Sequence, residues 1–215
     1  MLHIQCIRCG EIEENAYLIT DADTGASALI DPGLADPIRP ALAQLPDGAL
    51  RMILMTHGHF DHIGGAAVLA REAHVPVYCH ERELPRLTQP DGTLAPMFGL
   101  PLTVPSAAEA LRTGQCIALG NTTLTVLHTP GHTPGSVCFD EGSILFSGDT
   151  LFCGGEGRTD FPGGSAPQMT DSLRRLALLD GDRLVYPGHG ERTTLSQERR
   201  TNPWMESAAR DGGLS

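Results

Sequence analysis

The chain has 215 residues, a formal net charge of −11 from 15 basic and 26 acidic side chains, and 40% hydrophobic against 19% charged content. This is ordinary globular composition, and the length suits a single domain over residues 1–215 with a sizeable core. The acidic excess disfavours a nucleic-acid backbone or an anionic membrane surface as partner, because both are gripped by clustered Lys and Arg.

In chain order, the N-terminal MLHIQCIRCGEIEENAYLI has no basic segment followed by an apolar one, so no secretory signal is read there. No apolar run reaches the ~20 residues that span a bilayer, and a cytoplasmic setting is expected. Cys6 and Cys9 form a lone C-x-x-C without a second pair, which argues against a structural zinc knuckle. With Cys79, Cys116, Cys138 and Cys153 they read as reduced thiols. SALIDPG predicts a strand closing at Asp31-Pro32-Gly33, and ALAQL a short helix. LRMILMT, a near-continuous apolar run, predicts a strand buried on both faces.

GGAAVLAREAH has helical spacing, and VPVYCH reads as the next strand. The Pro-rich middle, Glu81 to Ala110, is expected to wrap over the surface. Its part Glu81 to Ser106, with the C-terminal tail, is expected to build the substrate pocket; PMFGLPL within it suits an exposed apolar segment or a buried loop. NTTLTVLHTPGH predicts a strand, and SVCFDEGSILFSGDT a hairpin turning at Asp140-Glu141-Gly142. APQMTDSLRRLALL predicts an amphipathic helix and RLVYPGHG a last strand running into a loop. Strands alternating with helices indicate an α/β or layered αβ domain.

MTHGHFDHIGG, Met55 to Gly65, sets three of the nine histidines and an aspartate within six positions, directly after a strand. Loops at strand ends are where a rigid scaffold presents functional groups. His57 and His59, two apart in an extended segment, can point the same way, while Asp61 and His62 turn towards a neighbouring point as a helix begins. The pattern recurs downstream: TLTVLHTPGHTPG delivers His132, SILFSGDT delivers Asp149 and RLVYPGHG delivers His189, each beside glycine. Seven imidazole and carboxylate donors on four such loops fit two adjacent metal ions, and a set without thiolate suits zinc, iron or manganese. Asp31 and Thr56, at strand ends, are candidates to hold imidazoles by their second nitrogen. His128, four residues before His132, reads as structural, as do His3, His74 and His80.

DPG, THGHFDHIGG, TPGHTPGS, SGDTLF, GRTDFPGG and YPGHG together resemble the motifs of the metallo-β-lactamase superfamily along nearly the whole chain, and most closely those of glyoxalase II-like hydrolases. The resemblance implies an α/β (α+β layered) fold, a four-layer αββα sandwich with metals at one edge of the packed sheets. It implies one metal at His57, His59 and His132, a second at Asp61, His62 and His189, and Asp149 bridging the two. The implied cofactors are two divalent ions, zinc first, with iron or manganese as alternatives. Dizinc β-lactamases generally have cysteine where Asp149 stands, which speaks against a dedicated antibiotic-cleaving role. Arg158, in GEGRTDFPGG, lies near where full-length glyoxalase II enzymes use a basic residue; it either contacts substrate or pairs with Asp160 to shape the loop. Too few residues follow His189 for the C-terminal helical domain of glyoxalase II, although TNPW resembles its start.

Two metals roughly 3.5–4 Å apart bring the pKa of a shared water down to about 7 and polarise a carbonyl. The expected activity is therefore hydrolysis of a small acyl-thiol such as S-lactoylglutathione by a metal-bridging hydroxide, with Asp61 orienting it and no Ser or Cys nucleophile. Lactone or other ester hydrolysis would use the same nucleophile. Persulfide dioxygenases also resemble this chain, share GRTDF, and would use one iron at His57, His132 and Asp149; the intact PGHG loop with His189 favours two metals instead. An intact set of seven donors leaves little room for a non-catalytic metal-binding module, and nucleases of the superfamily normally need a nucleic-acid-clamping domain that neither the length nor the charge provides. Oligomeric state is not legible.

Overall fold

The computed structural model describes residues 1–89, 92–105 and 107–206. One six-stranded sheet holds β1 (Leu2–Cys9), β2 (Glu14–Asp21), β3 (Ser27–Ile30), β4 (Leu50–Leu54), β5 (Val77–His80) and β6 (Ala108–Leu111) in sequence order. β1, β2 and β3 are antiparallel; β4, β5 and β6 run parallel to β3. Then come β7 (Cys116–Leu119), β8 (Thr122–His128), β9 (Val137–Asp140) and β10 (Ile144–Gly148), a short ribbon of β11 (Leu151–Phe152) with β12 (Gly155–Glu156), and β13 (Leu184–Pro187) and β14 (Thr193–Thr194). The second six-stranded sheet has the order β14-β13-β10-β9-β8-β7, with β13 parallel to β10 and its other pairs antiparallel. The helices are α1 (Arg39–Leu42), α2 (Phe60–Ile63), α3 (Ala66–Ala73), α4 (Leu84–Leu87), α5 (Ala166–Ala177) and α6 (Leu195–Thr201).

Three apolar clusters give the layer order. Between the sheets lie Tyr17, Ile19, Ile30, Leu54, Val126, Phe139 and Phe146. On the outer face of the first sheet, Leu29, Ile53 and Met55 meet Ile38, Ile63 and Leu69. On the outer face of the second, Leu145 and Val185 meet Met169, Leu173 and Leu176 of α5, whose i, i+4, i+7 spacing forms one apolar stripe. Helices thus cover both faces of a double sheet, the four-layer αββα arrangement. LRMILMT reads apolar throughout because Ile53 faces the helices and Leu54 the opposite sheet, each 0% exposed.

The strand and helix readings for SALI, VPVYCH, GGAAVLAREAH, APQMTDSLRRLALL and the Asp140 hairpin match the observed elements, while α1 begins before ALAQL and ends inside it. The segment from Glu81 to Ala110 departs from the expected surface wrap. Leu87, Leu94 and Ala95 are buried, Glu83 is fully buried, and its end enters β6. Met97, Phe98 and Leu100 of PMFGLPL are exposed. Cys6 is exposed and Cys9 buried, as positions three apart on a strand face opposite sides, so the C-x-x-C cannot close on one ion. Among the described residues no helix is long and apolar enough to cross a membrane.

Strand direction positions the site. β3, β4 and β5 run together; β8 and β10 are both antiparallel to β9 and so run together, with β13 beside them. The loops leaving the C-terminal ends of these strands meet at one edge of the sandwich, where His62 after β4 comes within 3.3 Å of Asp149 after β10.

Candidate metal centre

All seven donors meet at that edge. His57 and His59 leave β4 in extended backbone, His59 at φ −71°, ψ 148° before α2, and Asp61 and His62 sit in α2 itself. His132 follows β8, Asp149 follows β10 directly and His189 follows β13. The donor atoms of His57, His59 and His132 lie within 4.8 Å of one another, as do those of Asp61, His62 and His189. Asp149 spans the two groups: Oδ1 is 3.3 Å from His62 Nε2, while Oδ2 is 3.5 Å from His132 Nε2 and 3.8 Å from His189 Nε2. Asp61 Oδ2 is 3.2 Å from His189 Nε2 and 3.5 Å from His62 Nε2.

Hydrogen bonds on the outer nitrogens fix which nitrogen faces inward. A carbonyl can only accept, so His132 Nδ1 donates to the Arg158 carbonyl at 2.7 Å and His189 Nδ1 to the Ile12 carbonyl at 3.2 Å. His62 Nδ1 donates to Asp31 at 3.0 Å. The Thr56 hydroxyl gives its proton to Asp31 at 2.6 Å and therefore accepts from His57 Nδ1 at 3.1 Å. Four imidazoles thus turn Nε2 to the interior. Asp31 also accepts the Thr56 amide at 2.7 Å, and its backbone is held left-handed, φ 48°, to aim both oxygens. Asp31 and Thr56 are placed as second-nitrogen holders, as the strand-end argument expected. The geometry supports the structural reading of His128, which donates to the Pro134 carbonyl and stacks on His80.

The residues fit two ions. His57 Nε2, His62 Nε2 and Asp149 Oδ1 are buried and without a hydrogen-bond partner, a costly condition for polar atoms unless a ligand completes them. Burial, with neighbouring imidazoles, holds His57 well below its ordinary pKa, and burial takes His59 to about 3. Burial likewise depresses His132. These imidazoles are neutral at neutral pH, with lone pairs available. For His62 and His189 burial is outweighed by Asp149 and Asp61, and their pKa values rise. Asp149 is buried yet held below the carboxylate range by His62, His132 and His189. Ligand groups of this kind must shed their protons when a metal binds.

Several supporting residues carry no signal in the motif pattern. Glu83, after β5, accepts from the Gly58 amide at 3.1 Å, the Thr133 hydroxyl at 2.8 Å and the Gly135 amide at 2.9 Å, tying the His57–His59 loop to the His132 loop. Its signal was available: β5 parallels β4, so HERE emerges on the same edge. Asn15 Nδ2 donates to the Pro187 and Gly190 carbonyls, and Tyr17 Oη to the Pro187 carbonyl, pinning the His189 loop to β2. Glu14, fully buried and without a hydrogen-bond partner, backs His62 at 3.8 Å. Gly188 is required by space, since a β-carbon there would overlap Asp149 Oδ1 and come within 2.7 Å of His62 Cε1.

Replacing Glu83 by Ala strands three buried donors, each costing about 1–3 kcal/mol. Urea unfolding is expected to show a loss of about 3 kcal/mol or more, and metal titration an affinity weakened ~10–100-fold. Unchanged values in both measurements would show that the two loops hold their geometry without it.

A cleft of about 330 Å³ opens over the centre, floored by donors such as Asp61, Asp149 and His189 and walled by Phe152, Glu156, Arg158 and Phe161. The wall therefore comes from the β11–β12 ribbon and the loop after it, and no described residue of the expected segment 81–106 lines it. The strand-end loops place the donors so close to β11–β12 that this ribbon reaches the cleft first. The part of the tail beyond Glu206 lies outside the described residues. Arg158 pairs with Asp160 through two 2.7 Å hydrogen bonds and lies 3.9 Å over the Phe161 ring. The loop-shaping pair is thus formed, on a side chain that also lines the cleft.

The sequence profile of the Metallo-beta-lactamase superfamily matches residues 9–189. The hydroxyacylglutathione hydrolase GloC of Haemophilus influenzae is 35% identical over 212 residues, 96% of this chain and 99% of its own. Among solved structures, the B3 metallo-beta-lactamase BLEG-1 has a TM-score of 0.85 at 35% identity, covering 94% of this chain and 99% of that one. TTHA1623 in a di-iron-bound form has a TM-score of 0.81 at 39% identity, over 93% and 99%. ETHE1 from Myxococcus xanthus has a TM-score of 0.75 at 30% identity, over 94% and 83%. By sequence and by fold alike, the chain belongs to the metallo-β-lactamase superfamily.

Proposed function

We propose that the chain is a dinuclear metal-dependent hydrolase of small acyl-thiols, glyoxalase II-like, with S-lactoylglutathione as the representative substrate. The observation that carries this reading is the Asp149 carboxylate, one oxygen at His62 and the other at His132, between two complete donor triads. His57, His59 and His132 would hold one ion, Asp61, His62 and His189 the other, with Asp149 shared. Two divalent ions, zinc first and iron or manganese as alternatives, supply a water that ionises near neutral pH and Lewis-acid polarisation of a carbonyl. Asp61, 3.2 Å from His189 Nε2, would orient the nucleophile's proton. Arg158 and Phe161 form a wall against which the substrate lies. The same reading sets the protein in the cytoplasm, with a small-molecule partner and neither nucleic acid nor membrane.

Similarity to GloC supports a thioester, and similarity to TTHA1623 in its di-iron form supports two ions. The likeness to ETHE1 favours a second reading, a mononuclear iron dioxygenase on His57, His132 and Asp149. Against it stands His189, held by Ile12 and directed at Asp61. Metal analysis of protein purified without chelator, with thioester-loss and oxygen-uptake assays, separates the two. About two ions per chain and thioester loss abolished by His189→Ala are expected. Oxygen uptake on glutathione persulfide that survives His189→Ala would replace the hydrolase with the dioxygenase. Two ions with β-lactam, lactone or ester turnover alone would keep the centre and change the substrate.

A further inference from the structure

One acid in the cleft is unused by the proposed hydrolysis. Glu156 lines the same cleft as Asp61, Asp149 and His189. It is partly buried, and its carboxylate makes no hydrogen bond or ion pair with any described residue. Burial alone perturbs it, lifting its pKa to about 7. The backbone cannot easily carry it away, because Glu156 pairs with Leu151 in the ribbon, and Leu151 is 0% exposed in the apolar cluster under α5. A carboxylate held partly out of water without a donor is unfavourable until something supplies a positive or donating group.

Among the described residues no side chain is paired with Glu156. Arg158, two residues on, is closed by Asp160 and stacked on Phe161. The rings of Phe152 and Phe161 share the cleft with Glu156, and aromatic faces attract cations. A free carboxylate and aromatic rings within one cleft form the chemistry of a cation subsite.

We propose that Glu156 is a specificity residue that receives a positively charged group on the substrate arm away from the scissile carbonyl, so that acyl-thiols bearing an ammonium are preferred to neutral or anionic ones. The substrate class rests on the thioesterase reading; the cation subsite itself does not.

The metal-loaded wild type and Glu156→Gln are compared on acetylthiocholine, on its neutral carbon isostere S-(3,3-dimethylbutyl) thioacetate, and on anionic S-acetyl-3-mercaptopropionate. Glu156→Gln is expected to lower kcat/KM for the cation about five- to tenfold, mainly through KM, while leaving the neutral ester within about twofold and improving the anion. Calorimetry with choline and 3,3-dimethylbutan-1-ol reads the subsite without turnover. Wild-type preference for choline that disappears in Glu156→Gln supports the subsite even if no thioester is hydrolysed, in which case the thioesterase reading alone falls. Equal effects of Glu156→Gln on all three thioesters, or choline binding that is absent or unchanged by the substitution, overturns the subsite and leaves the hydrolase standing.

Discussion

Asp149→Ala is expected to lower kcat/KM by at least ~10³-fold and to reduce metal content from about two ions per chain to one or fewer. Asp149 reaches both triads with its two carboxylate oxygens: Oδ1 meets His62 and Oδ2 meets His132 and His189. Alanine removes a shared negative charge from among three imidazoles and, on the proposed dinuclear reading, leaves a void between the two ions. Several kcal/mol of charge stabilisation is what such a bridge contributes, and each 1.36 kcal/mol is a factor of ten. Asp149→Asn keeps the shape but not the charge and should fall between wild type and Ala. Activity of the Ala variant within tenfold of wild type, at full metal content, would show that the triads hold their ions independently.

Chelator-treated protein is expected to be most stable near pH 6.5 and to lose at least ~3 kcal/mol on acidification to pH 4. The sign follows from the histidines. His57, His59 and His132 have folded pKa values below the ordinary 6.5, so the unfolded chain takes up protons that the folded one refuses. Their contribution is complete above 6.5 and shrinks as pH falls. His59 alone, at about 3 when folded, gives the stated loss by pH 4. Asp149, with its folded pKa depressed, adds stability above 3.8 that disappears below it. His62 and His189 act oppositely: their pKa values are raised, their contribution is complete below 6.5, and it is lost as pH climbs through the raised values. Urea unfolding at pH 4, 5, 6.5 and 8 measures the profile. A flat line from 6.5 to 4 would mean that these imidazoles are solvated in the absence of metal.

The donors were readable because each interrupts a strong apolar run at a strand end beside glycine, a signal local in sequence. The sandwich was not in the composition; it came through the resemblance and is matched by three apolar clusters. What escaped was structure whose cause is distant. β1 is an edge strand with half its positions exposed and no sustained apolar face, so MLHIQCIRC gives little strand signal. β6 is four residues long, and only pairing with β5 makes it a strand. Asn15 and Tyr17 act on a loop far along the chain, and nothing near them in sequence names their partner. Glu156 was passed over because a glutamate in a Gly-rich stretch reads as solvated loop; the β11–β12 pairing turns it into the cleft.

The loops that meet at the sandwich edge also set an order of assembly. His59 and His132 are 73 residues apart, whereas His189 lies 128 residues beyond Asp61 and rests on a clasp from Asn15 to Gly190 that closes 175 residues. Closing longer loops is slower and entropically dearer. A chain leaving the ribosome N-terminus first has all of His57, His59 and His132 in hand while His189 is still unmade. On the proposed dinuclear reading the centre would therefore mature by halves, its second half completed only when the two ends of the domain have found each other.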